Sequence, residues 1–205
     1  MLLVFGVRYL YSLVATGTFH CPVCDVDRGY RLREPRSWVH VFWIPLVPLR
    51  QGAEIVECDV CRSRFEESVL GTPTSEQFGE LLSRGVRTAA AYLITAAEAG
   101  PDALSRAVVV LQRSLGPGYT REVLEADLAA HRQGSDFGVL TALAGNLDLL
   151  GKERLLRGLA DLELAVAEGG GEPDWSRLGD VAAALGVTPA HLRGIVHEAS
   201  ARTRE

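Results

Sequence analysis

Four cysteines, all placed before residue 62, constrain this chain more than any other feature. They fall into two C-x-x-C pairs, Cys21-Pro-Val-Cys24 and Cys58-Asp-Val-Cys61, separated by residues 25–57. A two-residue gap lets one tight turn aim both sulfurs at a single cation. Two such turns supply four thiolates, the closed tetrahedral set of a structural zinc ion. One Zn2+ per chain, held by Cys21, Cys24, Cys58 and Cys61, is therefore the expected cofactor. A closed shell leaves no position for water or substrate, so this metal would fold its segment rather than catalyse. Two details depart from the usual pattern. The spacer exceeds the common length of about 15–20 residues, and Asp25 and Arg62 stand where such turns often carry glycine. A redox dithiol or an iron site are the alternatives. A redox pair wants one C-x-x-C at a helix start within a βαβ unit, and neither pair has that context. His20 and His40 are candidate substitute ligands, although four cysteines already close the shell.

Around the cysteines the sequence reads as strands. Residues 2–7, 11–19, 30–33, 38–44 and 53–57 are short runs rich in β-branched and aromatic side chains. Gly17, Gly29, Pro35, Pro45, Pro48 and Gly52 punctuate them. Residues 67–75 form a small polar linker containing Gly71 and Pro73. Beyond it the period becomes helical: Phe78, Leu82, Val86, Ala89, Ala90, Leu93 and Ala97 mark one buried helix face. Breakers at Gly100-Pro101, Gly116-Pro117-Gly118, Gly134, Gly151, Gly169-Gly170-Gly171 and Gly186 divide the rest. They leave helices near 102–115, 120–132, 136–148, 152–168, 174–185 and 189–199, the last opened by Thr188-Pro189 as cap and first helical residue. The expected class is α+β and multidomain: a small β metal-binding domain over 1–66, a linker over 67–75, an all-α bundle of about seven helices over 76–200, and a tail over 201–205.

Charge narrows the partners. The chain carries 21 basic and 26 acidic residues, a formal net charge of −5. Residues 1–70 are balanced at eight of each sign, so the whole excess lies in the helical part. A surface field of that sign opposes a chain held broadly on nucleic acid. The opening residues 1–8 lack a basic n-region and Arg8 interrupts their apolar run, so no signal peptide is expected. The longest apolar stretch, residues 38–49, contains His40, Pro45 and Pro48 and is too short to span a bilayer. A cytoplasmic location is the expectation, with peripheral membrane attachment as a variant that the aromatic run admits.

The run Trp38-Val-His-Val-Phe-Trp-Ile-Pro-Leu-Val-Pro-Leu49, together with the two cysteine pairs and the opening Leu-Val-Phe-Gly, resembles a family of prokaryotic zinc-ribbon domains. The resemblance covers residues 1 to about 66 and implies a binding module without catalytic activity. Within the run, Trp38, Phe42 and Trp43 are candidates for docking a partner; the competing reading makes the run an ordinary core strand. The helical region repeats itself at an offset of 70 residues. Ala90, Ala97, Glu98, Gly100, Leu115 and Gly116 coincide with Ala160, Ala167, Glu168, Gly170, Leu185 and Gly186, a pattern expected of a duplicated helical hairpin. With the closing Leu-Gly-Val-Thr-Pro-x-x-Leu, this part resembles the tellurite-resistance TerB-like domains, which include the N-terminal domain of a membrane-anchored DnaJ-like co-chaperone. That resemblance implies a divalent-cation site of carboxylates at the hairpin ends. The candidates here are Glu98, Asp102, Glu168, Glu172 and Asp174, with glutamate in place of the usual aspartate at Glu98 and Glu168.

Three functional classes follow. The favoured one is a non-enzymatic zinc-binding adaptor: a ribbon that docks a protein partner, such as a membrane-associated stress complex, fused to a module for tellurite, metal or envelope stress. The alternative is a DNA-binding regulator, because residues 178–200 read like a helix-turn-helix. Its would-be recognition helix offers only Arg193, with Arg202 and Arg204 just beyond. A hydrolase or redox enzyme is third, since no nucleophile triad, phosphate loop or H-E-x-x-H motif stands out.

Overall fold

The computed structural model describes residues 5–41, 44–97, 99–134, 137–167 and 172–202. It is an α+β protein: an N-terminal antiparallel sheet of five strands, followed by seven α-helices among the described residues. The chain divides into two compact units, Met1–Phe78 and Gly79–Glu205.

The sheet is built on two long strands. β1 (Phe5–Cys21) pairs antiparallel with β2 (Val26–Val41) along its whole length, with one bulge between Leu13 and Ala15. The sequence suggested two separate strands in each of these stretches. Both run through instead, because continuous pairing with the neighbouring strand holds Gly17, Gly29 and Pro35 in extended backbone. The opposite edge of β2 is shared. Residues 30–33 pair with β4 (Ile55–Cys58), and residues 36–41 pair with β3 (Ile44–Gln51). Pro35, which has no N–H to give a ladder, stands at that change of partner, and its carbonyl accepts the Gly52 amide at 2.7 Å. β3 was not expected as a strand because Pro45 and Pro48 read as breakers. It pairs with β2 alone, and on such an edge proline is tolerated. A short β5 (Arg64–Glu66) completes the sheet on β4.

The core of this unit is small. Phe19, Leu32 and Val56 are buried together with Cys21 and Cys58. Phe19 meets Tyr30 and Phe65 edge to face, at centroid distances of 5.7 and 5.9 Å. Five buried apolar residues among those described are a thin core for a sheet this long, so cross-linking at the cysteines has much to add.

Residues 67–71, expected as linker, form a short 3-10 helix, Glu67–Gly71. Helix α1 (Ser75–Ala96) then starts on a capping box: Thr74 Oγ1 accepts the Gln77 amide at 3.3 Å, and Gln77 Oε1 accepts the Thr74 amide at 2.9 Å. The Ser75 amide donates to Asp27 Oδ2 at 2.8 Å, which holds the Asp27 carboxyl below its ordinary range.

The remaining helices are α2 (Pro101–Leu115), α3 (Arg121–Gln133), α4 (Gly138–Ala144), α5 (Leu149–Ala167), α6 (Trp175–Ala184) and α7 (Pro189–Arg202). They enclose one apolar core in which Leu93, Ile94, Leu124, Leu156, Leu159, Leu178, Leu185 and Ile195 are buried. Ala90, Ala107 and Ala160 are wholly buried and let their helices approach closely. One polar network sits at the edge of this core. Arg87 Nε donates to Asp127 Oδ2 at 2.8 Å, and the Tyr119 hydroxyl donates to the same oxygen at 2.8 Å. No helix among the described residues is long and apolar enough to cross a membrane.

Candidate metal centre

The two cysteine pairs straddle two hairpin turns at one end of the sheet. Cys21 ends β1 and Cys24 lies in the turn before β2; Cys58 ends β4 and Cys61 lies in the turn before β5. The long spacer between the pairs is thereby explained: residues 25–57 contain all of β2 and β3. Both turns are built alike. The Asp25 amide donates to the Cys21 carbonyl at 2.8 Å, and the Arg62 amide donates to the Cys58 carbonyl at 3.1 Å. Asp25 and Arg62 take φ values of 54° and 61°, the left-handed region that glycine fills most cheaply. The turns are joined by the Asp59 amide, which donates to the Gly29 carbonyl at 2.9 Å, and by the Arg31–Asp59 ion pair at 3.0 Å. Gly29 admits this approach because a Cβ there would lie 2.8 Å from Asp59 Oδ2.

The four sulfurs converge. All lie within 4.8 Å of one another, Cys21 and Cys58 buried, Cys24 and Cys61 half-buried. The Cys21 and Cys61 sulfurs are 3.7 Å apart. That is too far for a disulfide, whose sulfurs sit about 2.05 Å apart. It agrees with the edge of a tetrahedron whose metal–sulfur bonds are about 2.3 Å, which is about 3.8 Å. All four cysteines are free thiols. Their protons are held unequally. Burial pushes the Cys24 thiol up to about 11, with the Cys61 and Cys21 sulfurs adding to it. The Ser63 hydroxyl, then its amide, draws Cys61 down to about 6. Crowded thiolates repel, and a bound dication removes that repulsion as it displaces the remaining protons.

His20 is outside the sulfur group. Its ring faces Asp27 at 3.3 Å and Asp25 at 3.7 Å. His40 lies on the far half of the sheet, its Nε2 3.0 Å from where a Gly6 Cβ would be. That far half carries an apolar surface that the sequence only hinted at. Val7, Tyr9 and Leu13 on β1, and Ile44, Val47 and Leu49 on β3, are each more than half exposed. Val23 and Val60, the third residues of the two C-x-x-C pairs, are exposed as well. Of the three docking candidates, Trp38 is half-buried opposite Pro48, and Phe42 and Trp43 lie outside the described residues.

The second candidate cation site is not assembled by what is described. Glu98 and Glu168 lie outside the described residues, and Asp102, Glu172 and Asp174 form no ligand group. Asp174 instead caps α6, accepting the Ser176 amide at 3.0 Å, and pairs with Arg177 at 3.0 Å. A buried carboxylate that periodicity reasoning passed over sits nearby in effect. Glu163 of α5 is 2% exposed, its Oε1 makes no hydrogen bond, and burial pushes its carboxyl up to about 7, with Arg177 opposing and Asp174 adding.

At the C-terminal end, α6 and α7 are joined by residues 185–188, with Gly186 at φ 71°. This is the outline of a helix-turn-helix. Three polar side chains of α7 pair with α5: His191 contacts Glu153 at 2.6 Å, Glu198 pairs with Arg157 at 3.4 Å, and Arg202 pairs with Asp161 at 2.9 Å, while Arg193 is exposed.

Comparison of the chain with protein-family models, with curated proteins and with solved structures finds no match.

Proposed function

We propose that this chain is a non-enzymatic zinc-binding adaptor, in which zinc fixes the N-terminal sheet as a ribbon and the ribbon presents a docking surface for a protein partner. The observation that carries the reading is the convergence of four cysteine sulfurs within 4.8 Å of one another beside a thin core. An all-sulfur, closed and redox-silent site is the chemistry zinc takes in structural modules. The docking part rests on the exposed apolar side chains of β1 and β3, Val7, Tyr9, Leu13, Ile44, Val47 and Leu49, each more than half exposed.

For the helical unit, the proposal is a TerB-like module acting in tellurite, metal or envelope stress. The 70-residue repeat supports it: Ala90 and Ala160 are both wholly buried, and Gly116 and Gly186 both end a helix with positive φ. DNA binding is the weaker reading. The α6–α7 turn has the right outline, but Arg202 of α7 is paired with Asp161, His191 contacts Glu153, and the unit is acidic.

The test is affinity capture from the native host with the full chain beside a Tyr9→Asp, Leu13→Asp variant, with metal content measured on both. Capture of the same partner by wild type alone, at equal zinc content, supports the adaptor. Equal capture by both proteins removes the proposed surface, and a shift of DNA mobility at moderate salt overturns the class.

A further inference from the structure

Among the described residues the sheet has three edges, and two of them are guarded. β3 carries Pro45 and Pro48, and β5 is three residues long with Arg64 and Glu66 at its ends. Proline, charge and shortness are devices that keep an edge from pairing with a further strand. The β1 edge lacks them over residues 7–13. Arg8 is the one charged side chain there, no proline occurs, and the bulge comes only after Leu13. Val7, Tyr9, Leu10, Tyr11 and Leu13 are all exposed.

Pro35 shows which backbone groups face that edge. In an antiparallel strand the N–H and C=O of one residue point to the same side. The Pro35 carbonyl points away from β1, since it accepts the Gly52 amide at 2.7 Å. Pro35 stands opposite Tyr11, so that pair is not hydrogen-bonded and Tyr11 directs its own N–H and C=O to the free edge. The register is unbroken from Val7 to Leu13, so Val7, Tyr9 and Leu13 do the same, while Arg8, Leu10 and Ser12 bond β2.

This segment is complementary to its own copy. A two-fold axis at Leu10, its midpoint, sets Val7 opposite Leu13 and Tyr9 opposite Tyr11, each twice, and Arg8 opposite Ser12. Every outward-turned residue then meets another outward-turned one, and no like charges face each other. The four facing pairs supply about eight backbone hydrogen bonds, within the range of about 10 ± 5 found in a typical interface. Their side chains stand on one face as aromatic and aliphatic cross-strand pairs.

We infer that the chain forms a two-fold dimer in which residues 7–13 of β1 pair edge to edge with a second copy, joining the two sheets into one. The inference rests on the reading of the β1 side chains as a docking surface. It assigns the β1 edge to a second copy and leaves the β3 side of that surface to a different protein.

The test follows the zinc-loaded full chain by sedimentation equilibrium from low to high micromolar concentration. Wild type is expected to dimerise. Tyr11→Pro removes one outward N–H per chain, hence two bonds of the dimer, and should weaken association about thirtyfold at unchanged zinc content and far-UV spectrum. Leu10→Cys reports the register: at the axis its Cα lies about 4.5 Å from its copy, within disulfide reach, whereas in Ser12→Cys the two positions are roughly 14 Å apart. Mild oxidation should therefore link Leu10→Cys chains through position 10 and leave Ser12→Cys chains unlinked. A wild type that stays monomeric throughout overturns the proposal, as does a dimer that Tyr11→Pro leaves unaltered, or equal linking at both positions. Should Tyr11→Pro not fold, the two cysteine variants still decide. A monomer that captures its partner from the host overturns the dimer and keeps the adaptor; a dimer that captures none supports the dimer and removes the adaptor.

Discussion

Glu163 offers a prediction whose size and sign both follow from its surroundings. The residue lies on the buried stripe of α5, among Leu156, Leu159, Ala160 and Leu162, and its Oε1 has no hydrogen-bond donor. Burial raises its carboxyl from the ordinary 4.5 to about 7. A native state that holds a proton more tightly than the unfolded chain gains stability at low pH and loses it as pH rises. Its contribution is therefore fully present below about pH 4.5 and is lost as pH climbs through about 7. A difference of that size corresponds to about 3 kcal/mol between the two limits. Glu163→Gln keeps the shape and removes the titration. The variant should match wild type near pH 4.5–5 and exceed it by about 2–3 kcal/mol at pH 8.5. Urea unfolding followed by far-UV circular dichroism, which reads the helices, measures this at a series of pH values. Equal stabilities at pH 8.5 would refute the reasoning, and so would an advantage for the variant that is the same at every pH.

Two further outcomes test the rest of the fold. Arg62→Gly should stabilise the metal-bound sheet by about 1 kcal/mol, because position 62 sits at φ 61° and glycine removes the left-handed cost; thermal unfolding of the two proteins measures it, and a destabilised variant would show that the Arg62–Glu57 pair at 3.6 Å outweighs the strain. Leu156→Ala, at a fully buried position of the helical core, should cost about 2–5 kcal/mol in urea unfolding while zinc content stays unchanged.

What was legible in the sequence was what local spacing dictates. The C-x-x-C pairs specify their own turns, so Cys21, Cys24, Cys58 and Cys61 could be named together before any pairing was known. Even the left-handed positions at Asp25 and Arg62 could be anticipated from where such turns prefer glycine. The helices were legible for a similar reason, since Gly116, Gly134 and Gly186 end them with positive φ. Strand pairing was not, because it depends on residues far apart. Nothing within residues 30–41 announces that β2 changes partner at Pro35, or that Pro45 and Pro48 lie on an edge where they are harmless. Glu163 was missed because a helical pattern is read from its apolar members. The signal was present: it stands four residues after Leu159 and seven after Leu156, on the buried face.

The central claim is that one zinc ion, held by four thiolates, folds the N-terminal sheet. Elemental analysis of the full chain purified without added metal, combined with amide hydrogen exchange before and after chelation, tests it most directly. The account predicts one zinc per chain, and predicts that chelation exposes the amides of β1, β2 and β4 while those of the helical core stay protected. A metal-free chain with the same protection in those strands, or stoichiometric iron in place of zinc, would contradict it.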